Sequence, residues 1–212
     1  MHVNVAGIVH MTHFANADVL NDAHTNQQIT LFEQTIENLD VQETSLANSA
    51  AILAWPQSYR HWSRPGIMLY GANPLADTTV KLRPVMQLNS SIISIRTIQA
   101  GESIGYGSIF TATKPTVVGV VACGYADGYP RSAVGAPVAV AGHLTKLIGR
   151  VSMDMLCVDL TEFPHTSIGA PVELWGDTIS ANEVAKAAGT IAYELFCNVK
   201  RVAFKYSDSE RL

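Results

Sequence analysis

Residues 101–110, GESIGYGSIF, set Tyr106 between Gly105 and Gly107. Glycine takes turns closed to other residues, and flanking glycines strip away neighbouring side chains, so this spacing presents a phenol at a loop tip. A phenol so placed can act as an acid or a base, because loops carry chemistry more often than cores do. An ordinary tyrosine on a surface turn fits the same residues. His10 and His13 invite a metal reading, but positions three apart on an extended strand point to opposite faces and cannot share one ion, so no metal site is expected. Cys123, Cys157 and Cys197 are far apart, odd in number and form no CxxC pair, which suggests neither a zinc site nor a disulfide framework. Such thiols are mostly small buried hydrophobes of a reducing compartment, and a cytoplasmic location is expected.

The elements that must hold these groups come from a chain of 212 residues, long for one domain and comfortable for two. Hydrophobic residues make up 48% and charged ones 15%, ample for a core and without a disorder signature. The formal net charge of −4, with no basic run, argues against nucleic acid as a partner. Lys and Arg total 14 and are scattered, so a bound phosphate would rest on backbone N–H groups and hydroxyls as much as on charge. No stretch approaches the ~20 apolar residues of a membrane span. The apolar start, MHVNVAGIVH, lacks the basic segment and cleavage site of a signal peptide and reads as a strand that begins abruptly, as if the chain started mid-fold.

Residues 3–10 are β-branched and almost continuously apolar, as in a strand covered on both faces. Residues 26–39 place Ile29, Phe32, Ile36 and Leu39 on one helical stripe, with Thr25 or Asn26 as N-cap. A short strand at 44–47 ends in Asn48 and Ser49 before an alanine-rich helical turn. A third strand is expected at 66–70, entered through Arg64-Pro65 and closed by Gly71. Strand, helix, strand, short helix, strand is the grammar of a parallel sheet, and His13, Asn48, Ser49 and Arg64 fall near strand ends, where such folds gather ligands. Composition shifts after Ala76, giving units 1–76 and 77–212. Strands are expected at 88–98, 117–123, 137–140, 146–151, 155–160 and 172–175, with one helix at 180–188 opened by the Ser180–Glu183 capping box and a closing strand at 199–206. The second unit is therefore all-β and barrel-like.

Seven segments then stand in order: THFANAD (12–18), LANSAA (46–51), SRPGIMLYG (63–71), IGYG (104–107), GYADGYPR (124–131), GRVSMDM (149–155) and GTIAYE (189–194). Jointly they resemble the alanine racemase family of pyridoxal-phosphate enzymes over essentially the whole chain. The resemblance implies the last three strand–helix units of a partial (β/α)8 barrel followed by a C-terminal β-barrel-like domain. It also implies interconversion of L- and D-alanine, which supplies D-alanine for peptidoglycan, by a homodimer whose sites are shared head-to-tail between subunits. The family's Schiff-base lysine lies after the first barrel strand, in a segment resembling VVKANAYGHG, and nothing like it occurs in these 212 residues, whose first lysine is Lys81. As supplied, the chain looks like the C-terminal part of the enzyme and is expected to be inactive alone.

The resemblance assigns roles residue by residue. The Ser49 hydroxyl beside Asn48, the N–H groups around Gly66 and Ile67, and Tyr193 would hold the cofactor phosphate. Arg64 resembles the partner of the pyridine nitrogen; its guanidinium carries only donors and would hold that nitrogen unprotonated. His13 would orient Arg64. Tyr106 resembles the base that takes the proton from L-alanine, although a phenol titrates near ~10 and its site must favour the anion. Met153 would offer its backbone N–H to the substrate carboxylate, and Tyr125, Arg131, Arg150 and Asp154 would line the approach. A non-catalytic dimerisation module remains a second reading, and a broader racemase or an amino-acid decarboxylase of the same architecture a third.

Overall fold

The computed structural model describes residues 4–75 and 80–206. The chain divides into two compact units, Met1–Val85 and Met86–Leu212. Among the described residues, no helix is long and apolar enough to cross a membrane.

The first unit carries a three-stranded parallel sheet in the order β1 (Val9–Met11), β2 (Glu43–Asn48), β3 (Trp62–Arg64), with α1 (His24–Ile36) and α2 (Ser49–Ala54) in the connections. Residues of β2 are buried from Thr44 to Ala47, and Phe14, Ala17, Ile29, Ala50, Ala51, Trp55 and Leu75 complete the core. Trp55 Nε1 donates to the Ala17 carbonyl at 2.9 Å, which ties the segment after β1 down onto α2.

The expectations for three elements of this unit need correction. The first strand is only Val9–Met11 and is not covered on both faces: Ile8 is 53% and Met11 52% exposed. Its apolar run reads as doubly buried, yet among the described residues β1 has one strand neighbour, and of its three residues only His10 is partly buried. Residue 3 lies outside the described residues. The α1 helix starts earlier and ends earlier than its stripe suggested; Thr25 lies inside it, and Ala23 occupies the N-cap position without a side-chain cap bond. Ile29 is buried and Phe32 partly so, whereas Leu39 lies beyond the helix and is exposed. Finally, the third strand is Trp62–Arg64, and Ile67–Tyr70 forms a 3-10 turn. Pro65 keeps Arg64 extended, and Gly66, at φ −104° and ψ −99°, then turns the chain out of the sheet. A four-residue apolar run does not tell strand from helical turn by periodicity.

The second unit is a closed antiparallel barrel. Its strands are β4 (Leu88–Ile98), β7 (Thr116–Val121), β8 (Pro137–Val140), β9 (His143–Ile148), β10 (Leu156–Asp159) and β11 (Pro171–Trp175), in the cyclic order β10-β7-β4-β11-β8-β9. A small hairpin, β5 (Ser103–Ile104) with β6 (Phe110–Thr111), stands beside them. Closure follows from the length of β4. Its first half pairs with β11 and its second half with β7, and the register shift between Ile92 and Ser94 lets it bend from one partner to the other. Val118 and Val121 of β7 point to opposite faces and are both fully buried, Val118 among Ile98, Ile104, Ala112 and Ile148. Val138, Leu147, Leu156, Val158, Leu174 and Trp175 are buried as well. Helix α3 (Ala181–Ala188) opens with the Ser180–Glu183 capping box. The expected closing strand at 199–206 is not formed: α4 (Ala192–Asn198) precedes irregular chain, and the β9–β10 pairing closes the ring without it.

Candidate functional site

Parallel pairing gathers the polar residues of the first unit at one edge of its sheet. Asn48 is opposite Arg64, so β2 and β3 end level with each other, while β1 ends at Met11 opposite Ser45, three positions earlier in the register. Asn48, rather than Ser49, caps α2, its side chain accepting from Ala51 N at 3.0 Å. The buried Ser49 Oγ accepts from Gly66 N at 2.8 Å, which leaves the hydroxyl hydrogen to donate elsewhere. A Cβ at Gly66 would sit 3.7 Å from that oxygen and fill the space over it. Ile67 begins the 3-10 turn, where a first N–H has no helical acceptor.

Arg64 is held from four directions. Its Nη1 donates to the Ser45 carbonyl at 3.0 Å and to Ser45 Oγ at 2.7 Å, while Nη2 donates to the Thr12 and Leu46 carbonyls at 2.8 and 3.2 Å. These bonds occupy both terminal nitrogens and leave Nε–H as the donor available to a ligand. Partial burial draws its pKa below the ordinary guanidinium value. Among the described residues no hydrogen bond joins the exposed His13 imidazole to Arg64, and the His13 carbonyl accepts from Gln28 Nε2 at 2.7 Å. Ser45 holds the guanidinium instead. Its small hydroxyl on the buried face of a strand gave no sequence signal for this.

In the second unit, Tyr106 stands at the tip of the β5–β6 hairpin and is 63% exposed. Buried Ile104 anchors the hairpin against Ile98 and Ile148. Gly105 has φ +78°, and a Cβ there would come within 2.9 Å of Arg150 N, so glycine lets the tyrosine turn lie against the 149–155 loop. That loop folds back on itself through Ser152 N to Met155 O at 2.9 Å. Tyr106, Ser152, Met153, Asp154 and Met155 line one depression of about 450 Å³.

The GYADGYPR turn braces the same loop from behind. Tyr125 N donates to Ser152 O at 3.0 Å and Ala126 N to Met153 O at 2.9 Å. Among the described residues Met153 N donates to nothing. Asp154 pairs with Arg201 at 3.0 Å, and the same guanidinium reaches Asp127 at 3.8 Å. Tyr125, Arg131 and Arg150 line a larger cavity of about 820 Å³, which Asp154 does not join. Tyr193 lies on the exposed side of α4. Arg201 and α4 went unrecognised in the sequence, since no apolar period marks either. Among the described residues no cluster of His, Cys, Asp or Glu could hold a metal ion.

A unit built on a parallel sheet with hydroxyl, guanidinium and open N–H groups at its carboxyl edge, followed by an antiparallel barrel with a phenol-bearing hairpin, defines a two-part α/β plus all-β class. The family model described as "Alanine racemase, C-terminal domain" matches residues 85–206, and "Alanine racemase, N-terminal domain" matches residues 2–74. The chain belongs to the alanine racemase family. It is 57% identical over 202 residues to an alanine racemase of Pseudomonas entomophila, covering 93% of this chain and 56% of that protein. To a catabolic alanine racemase of Pseudomonas putida it is 54% identical over 206 residues, covering 95% and 57%. The crystal structure of the biosynthetic alanine racemase from Pseudomonas aeruginosa superposes with a TM-score of 0.92 at 48% identity, over 98% of this chain and 59% of that one. The enzyme from Bartonella henselae, solved with covalently bound pyridoxal phosphate, gives 0.83 at 29% identity, over 91% and 54%. The chain thus spans a little over half the length of its curated relatives.

Proposed function

We propose that this chain supplies the C-terminal share of an alanine racemase site, with the first unit as the last part of a (β/α)8 barrel and the second as the domain that delivers the base. The observation that carries the reading is the fixed guanidinium of Arg64 beside the Ser49–Gly66 pair at one sheet edge. Pyridoxal phosphate, when bound, supplies an electron sink for the α-carbon. Ser49 donates to the phosphate, the Gly66–Ile67 backbone approaches it closely, and Tyr193 adds a phenol. Arg64 would offer Nε–H to the ring nitrogen and, as a permanent cation, would disfavour its protonation, which would suit brief loss and return of the α-proton. Tyr106 moves that proton on the L-alanine side, Met153 N–H receives the carboxylate, and Tyr125, Arg131, Arg150 and Asp154 border the approach.

In this reading two chains share each site, Tyr106 and Met153 acting in the partner's. The lysines of these 212 residues, Lys81, Lys114, Lys146, Lys186, Lys200 and Lys205, all follow the three-stranded sheet, so the chain alone should not racemise alanine. Free thiols at all three cysteines fit a cytoplasmic protein. The experiment adds pyridoxal phosphate, reduces with borohydride and reads the intact mass. No stable increment is expected; one cofactor mapped to a single lysine, or racemisation by the purified chain, overturns the inactive-alone claim. Co-expression with the part of the Pseudomonas entomophila enzyme that this chain does not cover should restore racemisation, and Tyr106→Phe should remove it. The closed second unit also favours a second reading, a dimerisation module without catalysis; a defined oligomer that the complementing segment fails to activate would support it.

A further inference from the structure

The chain after α4 forms no regular element among the described residues, yet it is tied to the turn that braces the Met153 loop. Lys200 N donates to the Asp127 carbonyl at 2.8 Å. A Cβ at Gly128 would come within 2.1 Å of the Asn198 carbonyl, so the two segments lie backbone on backbone. Arg201 then takes a left-handed backbone, φ +55°, which residues with side chains rarely adopt unless their surroundings over-determine it. Its guanidinium spans two carboxylates: Nη2 donates to Asp154 Oδ1 at 3.0 Å, and Nε lies 3.8 Å from Asp127 Oδ1. The Asp127 carboxylate is itself committed, Oδ2 accepting from Gly124 N at 2.9 Å. That bond closes the turn whose Tyr125 and Ala126 N–H groups hold the Ser152 and Met153 carbonyls. Arg201 thus joins the turn to the residue that follows Met153.

We propose that Arg201 is a positioning residue for Met153: through Asp127 and Asp154 it fixes the direction of the backbone N–H that receives the substrate carboxylate. The inference rests on the racemase reading of Met153 and adds a residue to it. A trans peptide is planar, so the Ser152 carbonyl and the Met153 N–H point opposite ways. The Tyr125 N–H that grips the carbonyl therefore also aims the Met153 N–H away from the turn. Arg201 keeps turn and loop together on the far side of Met153. The Arg201 and Asp154 side chains are 58% and 55% exposed, and pairs so exposed add little to stability. What this pair supplies is precision at Met153.

The first measurement is amide hydrogen exchange on the whole chain. In Arg201→Gln the Tyr125 and Ala126 amides should exchange about fivefold faster or more, while Val120, between β4 and β10, keeps its rate. Asp154→Ala breaks the same bond from its other end and should give the same pattern, with little added when the two are combined. Arg201→Lys keeps a charge but loses the fork, and should fall in between. With the complementing segment supplied, Arg201→Gln should raise KM for alanine about fivefold or more and change kcat less, because the carboxylate contact is made in bound substrate and transition state alike. Lys114→Gln, whose partner is Glu162, should change neither constant. Equal acceleration at Val120, unchanged exchange in both variants, or an unchanged KM would each overturn the proposal. Faster exchange confined to Tyr125 and Ala126 in a chain that no complementation activates would keep the brace and remove the racemase reading.

Discussion

The two units solve the problem of strand edges in opposite ways. The barrel itself has none: each of its six strands has two neighbours, only the small β5–β6 hairpin stands outside the ring, and Trp175, Leu174, Leu147 and Val158 are fully buried. The sheet unit keeps both edges, and much of its core is alanine (Ala17, Ala47, Ala50, Ala51), so it buries less apolar surface per residue. Ring closure makes one unit self-sufficient, while the other carries unpaired backbone that invites a further strand. The cofactor-side residues of the proposed site belong to the unit with open edges, and the base belongs to the closed one.

Expressing the units separately gives the largest expected difference. Residues 86–212 should fold with a single cooperative transition by circular dichroism, and residues 1–85 should be aggregation-prone or only partly structured. Equal cooperativity would break the contrast. Within the barrel, Trp175→Ala should cost roughly 3–5 kcal/mol by denaturant titration, as expected when a fully buried large ring is removed. Gly128 has φ +106°, and a Cβ there would come within 2.1 Å of the Asn198 carbonyl, so Gly128→Ala should cost on the order of 3 kcal/mol.

A pH comparison sharpens the difference, because all three cysteines lie in the second unit. Burial and the nearby Asp127 push the Cys123 thiol up to about 12, and burial raises Cys157 and Tyr129 as well. A folded-state value above the unfolded one means that the contribution is complete below the unfolded thiol value near ~8.5 and is lost as pH rises towards the folded one. The barrel's melting temperature should therefore fall above about pH 9, with a flatter slope in Cys123→Ala. The smallest effect belongs to the sheet unit: Asn48→Ala removes the α2 cap and should cost about 1 kcal/mol.

The barrel was the more legible unit. The expected strands 88–98 and 137–140 coincide with Leu88–Ile98 and Pro137–Val140, since period-two alternation and turn glycines act locally. The sheet unit misled where burial depends on chain beyond the element itself. The 3–10 run looked doubly covered, and the IMLY run looked like a strand although Gly66 had already turned the backbone away. For the candidate site, the motifs marked Ser49, Arg64, Tyr106 and Met153, and the structure sets the first two at one sheet edge and the last two around one depression. The supporting contacts were not legible, because Ser45 under Arg64 and Arg201 on Asp154 depend on geometry between distant segments.

The close approach of Gly105 to the Arg150 amide has a consequence for how this protein can change. With no room for a side chain between them, the hairpin tip packs directly on the 149–155 loop, and a displacement of one is expected to carry the other. A substitution that shifts Met153 also shifts the phenol, so directed evolution of this wall has one coordinate to vary where the sequence suggests two. Variants that enlarge the depression should therefore be found mostly at Ser152 and Met155, which border it without setting that distance.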